Sequence, residues 1–102
     1  MKLERVKELL ARDFEWESLS NLDLTGFDFE GANLTLTSFA NSNLSKANLK
    51  GTRISGDCSN ADFRGANLEG TRFKGAYLAG ALFDQDPLPK LSEQQLKHIL
   101  TK

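Results

Sequence analysis

Few side chains in this sequence are of a kind that reacts. His98 is the only histidine and Cys58 the only cysteine. A single cysteine excludes an intrachain disulfide and any CxxC metal or redox motif. No ligand set surrounds His98 at metal-binding spacing, and there is no Ser/His/Asp or Cys/His arrangement. The glycines do not form a GxGxxG fingerprint or a P-loop. The carboxylates are numerous but evenly spread, and spread carboxylates do not make an acid–base pair. The sequence therefore offers no catalytic residue, no cofactor site and no metal site, and it reads as a non-enzyme. What remains is contact chemistry. Arg53, Arg72 and Lys74 recur in one part of the chain and could hold an anionic surface. Tyr77 adds an outward aromatic beside Ala79 and Leu82; with Leu36 these are the only hint of an apolar contact surface. A plain solvated face is the competing reading of all four candidates.

These residues sit in a repeat. A large apolar residue recurs every five positions: Leu24, Phe29, Leu34, Phe39, Leu44, Leu49 and Ile54. One step of four leads to Cys58, and the period of five resumes with Phe63, Leu68, Phe73, Leu78 and Phe83. Two places earlier stand Leu22 and Phe27, and thereafter only small residues such as Ala32, Thr37, Ser42 and Ala47. Two places later glycine is frequent, as at Gly26, Gly31, Gly51 and Gly65. A helix repeats at 3.6 residues and a strand at two. A period of five fits neither, but it fits a short extended side followed by a corner, with glycine accepting the corner dihedrals. An internal repeat of this kind means a solenoid whose layers bury one another's inner faces.

The four-residue step from Ile54 to Cys58 removes one corner residue. Taking Cys58 as the inward residue keeps everything after it in phase, whereas Ser59 would not. A distorted corner near residues 54–57 follows, with Gly56 absorbing the deletion. As an inward residue, Cys58 acts as a small buried hydrophobe.

The segments Ala32-Asn33-Leu34, Ala47-Asn48-Leu49, Ala61-Asp62-Phe63 and Ala66-Asn67-Leu68 resemble the A(D/N)LXX unit of the pentapeptide-repeat family. The resemblance covers about sixty residues. It implies an all-β solenoid, a right-handed quadrilateral β-helix with one pentapeptide per side. Thirteen units give slightly more than three coils. The inward columns are then Leu24–Leu44–Phe63–Phe83, Phe29–Leu49–Leu68, Leu34–Ile54–Phe73 and Phe39–Cys58–Leu78. Asp23, Asp28, Asn33, Asn43, Asn48, Asp62 and Asn67 face outward near the backbone, where they support turns. Glu30, Lys50 and Glu69 form an outer column of alternating sign, a weak surface support.

The chain of 102 residues has room for one domain, 1–102. Residues 2–11 read as a short amphipathic helix with Leu3, Val6, Leu9 and Leu10 on one stripe. Residues 12–21 are an irregular lead-in, in which Trp16 packs that helix onto the array. The repeat spans 22–84. Pro87 and Pro89 then end it, because proline cannot donate to another layer. A second helix is predicted over 92–101, with Ser92 and Gln95 in a capping-box pattern and Leu96, Ile99 and Leu100 on its apolar face. Both helices would cap the solenoid ends.

Thirteen Lys+Arg against fourteen Asp+Glu give a net charge of −1, so no bulk field steers the chain to nucleic acid. The N-terminus has no apolar h-region and no apolar run is long enough to span a bilayer, so a cytoplasmic location without membrane contact is expected. The functional expectation is a non-enzymatic protein-binding or scaffold module with an unidentified protein partner, monomeric, with a homodimer as the alternative. The resemblance supplies a second reading, a DNA mimic that modulates a type II topoisomerase such as gyrase. Relatives of that kind are similar to long, strongly acidic rods, which this chain is not.

Overall fold

The structure, a computed structural model, describes residues 18–101. The expected helix over 2–11 and the packing of Trp16 lie outside the described residues. What is described is a β-rich repeat built from very short elements: β1 (Asn33–Leu34), β2 (Arg53–Ile54), β3 (Leu82–Phe83), the single helical turn α1 (Glu93–Leu96) and β4 (Leu100–Thr101). β1 pairs with β2 and β3 with β4, both in parallel. Isolated parallel bridges carry the same pattern around the array, as in Asp23↔Asn43, Asp28↔Asn48 and Asn43↔Asp62.

The register follows from the period. Pairs that do not cross the short step are 20 residues apart, as in Asn33↔Arg53 and Asp57↔Tyr77. Pairs that cross it are 19 apart, as in Asn48↔Asn67 and Arg53↔Arg72. Leu24, Leu44, Phe63 and Phe83 therefore stack in one column, and Leu34, Ile54 and Phe73 in another. Where a further layer follows, the central residue donates its N–H to it, for example Leu24 to Asn43 O (2.8 Å) and Ile54 to Arg72 O (2.9 Å).

Between sides, except at the short corner after Ile54, the chain turns on one device. The central residue's carbonyl accepts from the residue three further on, as Phe27 N–H donates to Leu24 O (3.1 Å) and Ala47 N–H to Leu44 O (3.1 Å). The third residue of the turn has positive φ, as type II turns require. Glycine fills many of these corners, but Asn21, Leu36, Asn41, Lys46 and Asn60 hold the same conformation at φ of about +60°. A leucine in the left-handed region costs about 1–2 kcal/mol. Leu36 is also 42% exposed, so it packs little in return. Leu36→Gly is expected to stabilise the fold by about 0.5–1 kcal/mol, after the added freedom of the unfolded chain is subtracted. Urea midpoints at constant slope check this.

Twelve of the thirteen central residues are buried, Cys58 among them, and Leu19 extends the series by one unit. Leu68 is the exception and is partly exposed. It lies in the last layer, and the segment over it carries Pro87 and Pro89, which cannot add a hydrogen-bonded rung. Aromatic centres pack edge-on in the first layer, Phe29 against Phe39 at 6.0 Å, and as a trio at the C-terminal end. Phe63 stacks on Phe83 at 5.0 Å, and Phe73 meets both edge-on at 5.5 and 5.8 Å. The small inward positions tolerate threonine because its hydroxyl is satisfied. Thr52 and Thr71 both donate to Leu49 O, at 2.8 and 2.7 Å.

The C-terminal helix is shorter than the sequence implies. The expected span 92–101 contains only α1, after which β4 pairs with β3 as a further rung. The capping box is present: Ser92 and Gln95 bond reciprocally. The helix stops because the open edge of the last layer offers backbone partners that a helix cannot use. Gly80 N–H donates to His98 O (2.8 Å) and Leu100 N–H to Ala81 O (2.7 Å). As a result Leu96 and Leu100 are exposed, while Leu91 and Ile99 pack on the core.

Candidate functional site

Nucleophile chemistry is disposed of by position. Cys58 is buried, and burial, with Asp57 adding repulsion, pushes its thiol up to about 12. At neutral pH it has almost no thiolate and does not attack. No group of His, Cys, Asp or Glu among the described residues could hold a metal ion. His98 is exposed and its backbone serves the fold, its N–H donating to Gln95 O (3.1 Å) and its carbonyl accepting from Gly80 N–H (2.8 Å).

The outward Asp and Asn residues have structural work. The Oδ1 of each accepts the N–H two residues on: Asp23 from Thr25 (3.1 Å), Asn43 from Ser45 (2.9 Å), Asp62 from Arg64 (3.0 Å). This is the Asx-turn pattern. The Thr25 hydroxyl holds the Asp23 carboxyl below its ordinary value of 3.8, and the Arg64 guanidinium does the same for Asp62. Between the lowered and ordinary values the unfolded chain binds more protons than the folded one, so stability rises with pH there. The contribution is complete above the ordinary value and is lost as pH falls through the lowered ones. Denaturation followed from about pH 6 to 2 should show this acid limb. Asp62→Asn, which keeps the turn acceptor, should flatten it. Asp62–Arg64 is the only ion pair recorded among the described residues (2.8 Å). The expected outer column of Glu30, Lys50 and Glu69 makes none; instead Asn48 donates to Asp28 and Glu30 at 3.2 and 3.3 Å.

The basic candidates do come together. Arg53 and Arg72 are direct partners in adjacent layers, so their side chains leave the same outer column. Lys74 joins them on the rim of a shallow depression of about 330 Å³, floored by Ile54 and edged by Thr35 and Ser55. Arg72 and Lys74 also line a larger groove of about 590 Å³ between the last layer and the segment that leads into α1. Lys90 enters that groove from the opposite side, and Phe73, Ala76 and Leu91 form its apolar floor. Among the described residues, no acidic side chain lines either cavity. Like charges placed directly opposite across a rung destabilise a sheet. The Arg53–Arg72 pairing is thus a local cost that a bound anion would relieve.

Tyr77 stands elsewhere. It lies past the Gly75 corner, pairs with Asp57 across the layers and is 61% exposed. It lines a separate small depression with Leu78 and His98, so aromatic and cations form two surfaces and not one. Lys90 was not among the sequence candidates. It belongs to the segment after Pro87 and Pro89, which has no repeat phase from which its position could be read.

Among models of protein families, the one described as pentapeptide repeats matches this chain in eight copies, over residues 18–56 and 57–85, about two thirds of its length. No curated protein matches the chain. Several solved structures are similar to it, two pentapeptide repeat proteins among them. One is alr5209, a pentapeptide repeat protein from Nostoc Pcc 7120, 27% identical over 97% of this chain and 94% of that one, with a TM-score of 0.46. The other is AT2G44920, a pentapeptide repeat protein from the Arabidopsis thaliana thylakoid lumen, 25% identical over 81% of this chain and 70% of that one, with a TM-score of 0.36.

Proposed function

Because the chain belongs to the pentapeptide-repeat family, a non-enzymatic class of structural repeat, we propose that it is a rigid protein-binding scaffold. Its architecture in this reading is a right-handed, four-sided β-helix of about three coils, capped at the C-terminal end by α1 and β4. The 20-residue register supports four pentapeptides per coil. The two short dimensions of the body, 23 and 22 Å, are nearly equal, as four equal sides require. No helix among the described residues is long and apolar enough to cross a membrane.

The observation that carries the function is the convergence of Arg53, Arg72 and Lys74 on one outer face, with no acidic residue among the described residues lining its cavities. Such a face fits an acidic surface on a partner protein. The same cations run against the DNA-mimic alternative, which needs a dense acidic surface. Proximity labelling in the native host, followed by capture with purified protein, tests the proposal. Reversal of all three residues to glutamate is expected to lower capture at least about tenfold, and added salt should weaken the wild-type interaction. Capture unchanged by the reversal, with the fold intact by circular dichroism, would contradict it. Sedimentation at several concentrations should give a monomer.

A further inference from the structure

The last layer of the array is an open sheet edge, and one side of it is open with its donors and acceptor exposed to the groove. In the layer beneath, Ile54 N–H donates to Arg72 O and Thr52 O accepts from Arg72 N–H, both at 2.9 Å. In the neighbouring column Gly51 N–H donates to Glu69 O (2.9 Å). One layer up, the groups equivalent to Ile54 N–H and Thr52 O are Phe73 N–H and Thr71 O, and Gly75 N–H holds the corner place in the Phe73 unit that Gly51 N–H holds in the Leu49 unit. Among the described residues none of these three has a hydrogen-bond partner. All three residues line the 590 Å³ groove. Gln95 closes only the corner, by donating to Phe73 O and Ala76 O.

The molecule already shows how such an edge is filled. Two sides further on, β4 lies in parallel on β3: Leu100 N–H donates to Ala81 O, and Gly80 N–H donates to His98 O. The chain's own tail supplies that rung. No described segment supplies the rung over Phe73.

We infer that the edge over Phe73 takes an extended acidic segment of a partner protein, which adds as a parallel rung of about one side in length. This rests on the protein-binding reading above and specifies its partner. The backbone supplies the fit: segment carbonyls accept from Phe73 and Gly75, and a segment N–H donates to Thr71 O. Side chains alternate along the segment. One faces the apolar floor of Phe73 and Leu91, and its neighbours face outward between Arg72, Lys74 and Lys90. The occupant is therefore a short acidic–apolar–acidic stretch in extended form.

The test uses the full chain, labelled with ¹⁵N, and a short end-capped peptide of alternating glutamate and valine. Binding at millimolar peptide is expected, with amide exchange at Phe73 and Gly75 slowed about tenfold or more at saturation. A counterpart with its alternate backbone amides N-methylated, so that donors are lost, should bind about tenfold more weakly, and so should a lysine–valine counterpart. Lys90→Glu, an exposed change, should weaken the acidic peptide similarly. Shifts confined to Arg53, Arg72 and Lys74 with unchanged exchange at Phe73 and Gly75 would overturn the edge while leaving the basic face standing. No binding at millimolar peptide would overturn the edge as well, and the scaffold reading would then stand or fall on partner capture alone.

Discussion

Gly56→Ala is expected to destabilise the fold by about 3 kcal/mol, more than its small change in volume implies. A Cβ at residue 56 would fall on the carbonyl oxygen of Thr37 and lie 2.9 Å from Thr37 C and 3.0 Å from Leu36 C. All three atoms are backbone, so no side chain can rotate aside. Thr37 is itself fixed, since its N–H donates to Leu34 O (3.1 Å) and its side chain is buried. Gly56 is also held from the other side, where its carbonyl accepts Tyr77 N–H (3.1 Å). The requirement is one of space and not of dihedral angle, because Gly56 is absent from the positive-φ residues. Gly26→Ala is the matched control. Its φ is +74° but nothing lies within 4 Å of the added carbon, so only the conformational cost of about 1 kcal/mol applies. Paired urea denaturation of the two variants measures the difference. Equal losses would mean that the short corner does not force the close approach.

Gln95→Glu should have the next largest effect, about 2–3 kcal/mol at neutral pH, concentrated in the C-terminal cap. The Gln95 amide is fully used. Its oxygen accepts from Ser92 N–H (2.9 Å), and its nitrogen donates to Phe73 O (2.8 Å) and Ala76 O (2.9 Å). Ala76 O is the acceptor that the missing next layer would have served, so this side chain stands in for a backbone N–H. The isosteric carboxylate keeps the capping box but sets a negative oxygen against two carbonyls. The deficit should shrink on acidification, because a protonated carboxyl can again donate; the introduced group's folded-state pKa is raised, so protonation favours the folded form. Hydrogen exchange reads the location. Gly80 and Leu100 amides, bonded to His98 O and Ala81 O, should lose protection before Leu44 or Leu49.

The repeat made most of the array legible in advance. A period of five sets which residues face inward, and one short step then shifts the register from 20 to 19, so Arg53 and Arg72 could be placed side by side before any coordinates. What could not be read was set by long-range partners. Leu96, Ile99 and Leu100 have helical spacing, but the free edge of β3 outweighs local preference and draws residues 100–101 into a rung. Leu36 is not a glycine, yet the turn closed by Thr37 N–H on Leu34 O (3.1 Å) holds it at φ of 62°, which its side chain gives no sign of. Tyr77 is separated from the cations by a corner, a distinction that spacing along one column does not make. Lys90 reaches the groove through a segment without periodicity. The site is thus half legible: the cations inside the repeat were, and the groove's far wall was not.

The binding face exists only if the register is as described, and through-hydrogen-bond scalar couplings report that register directly. Coupling is predicted from the Leu24 amide to the Asn43 carbonyl and from the Ile54 amide to the Arg72 carbonyl, the second spacing one residue shorter than the first. Coupling of Ile54 to the carbonyl of Phe73 instead would move the short step out of the array, take Arg53 off the column of Arg72, and contradict the account.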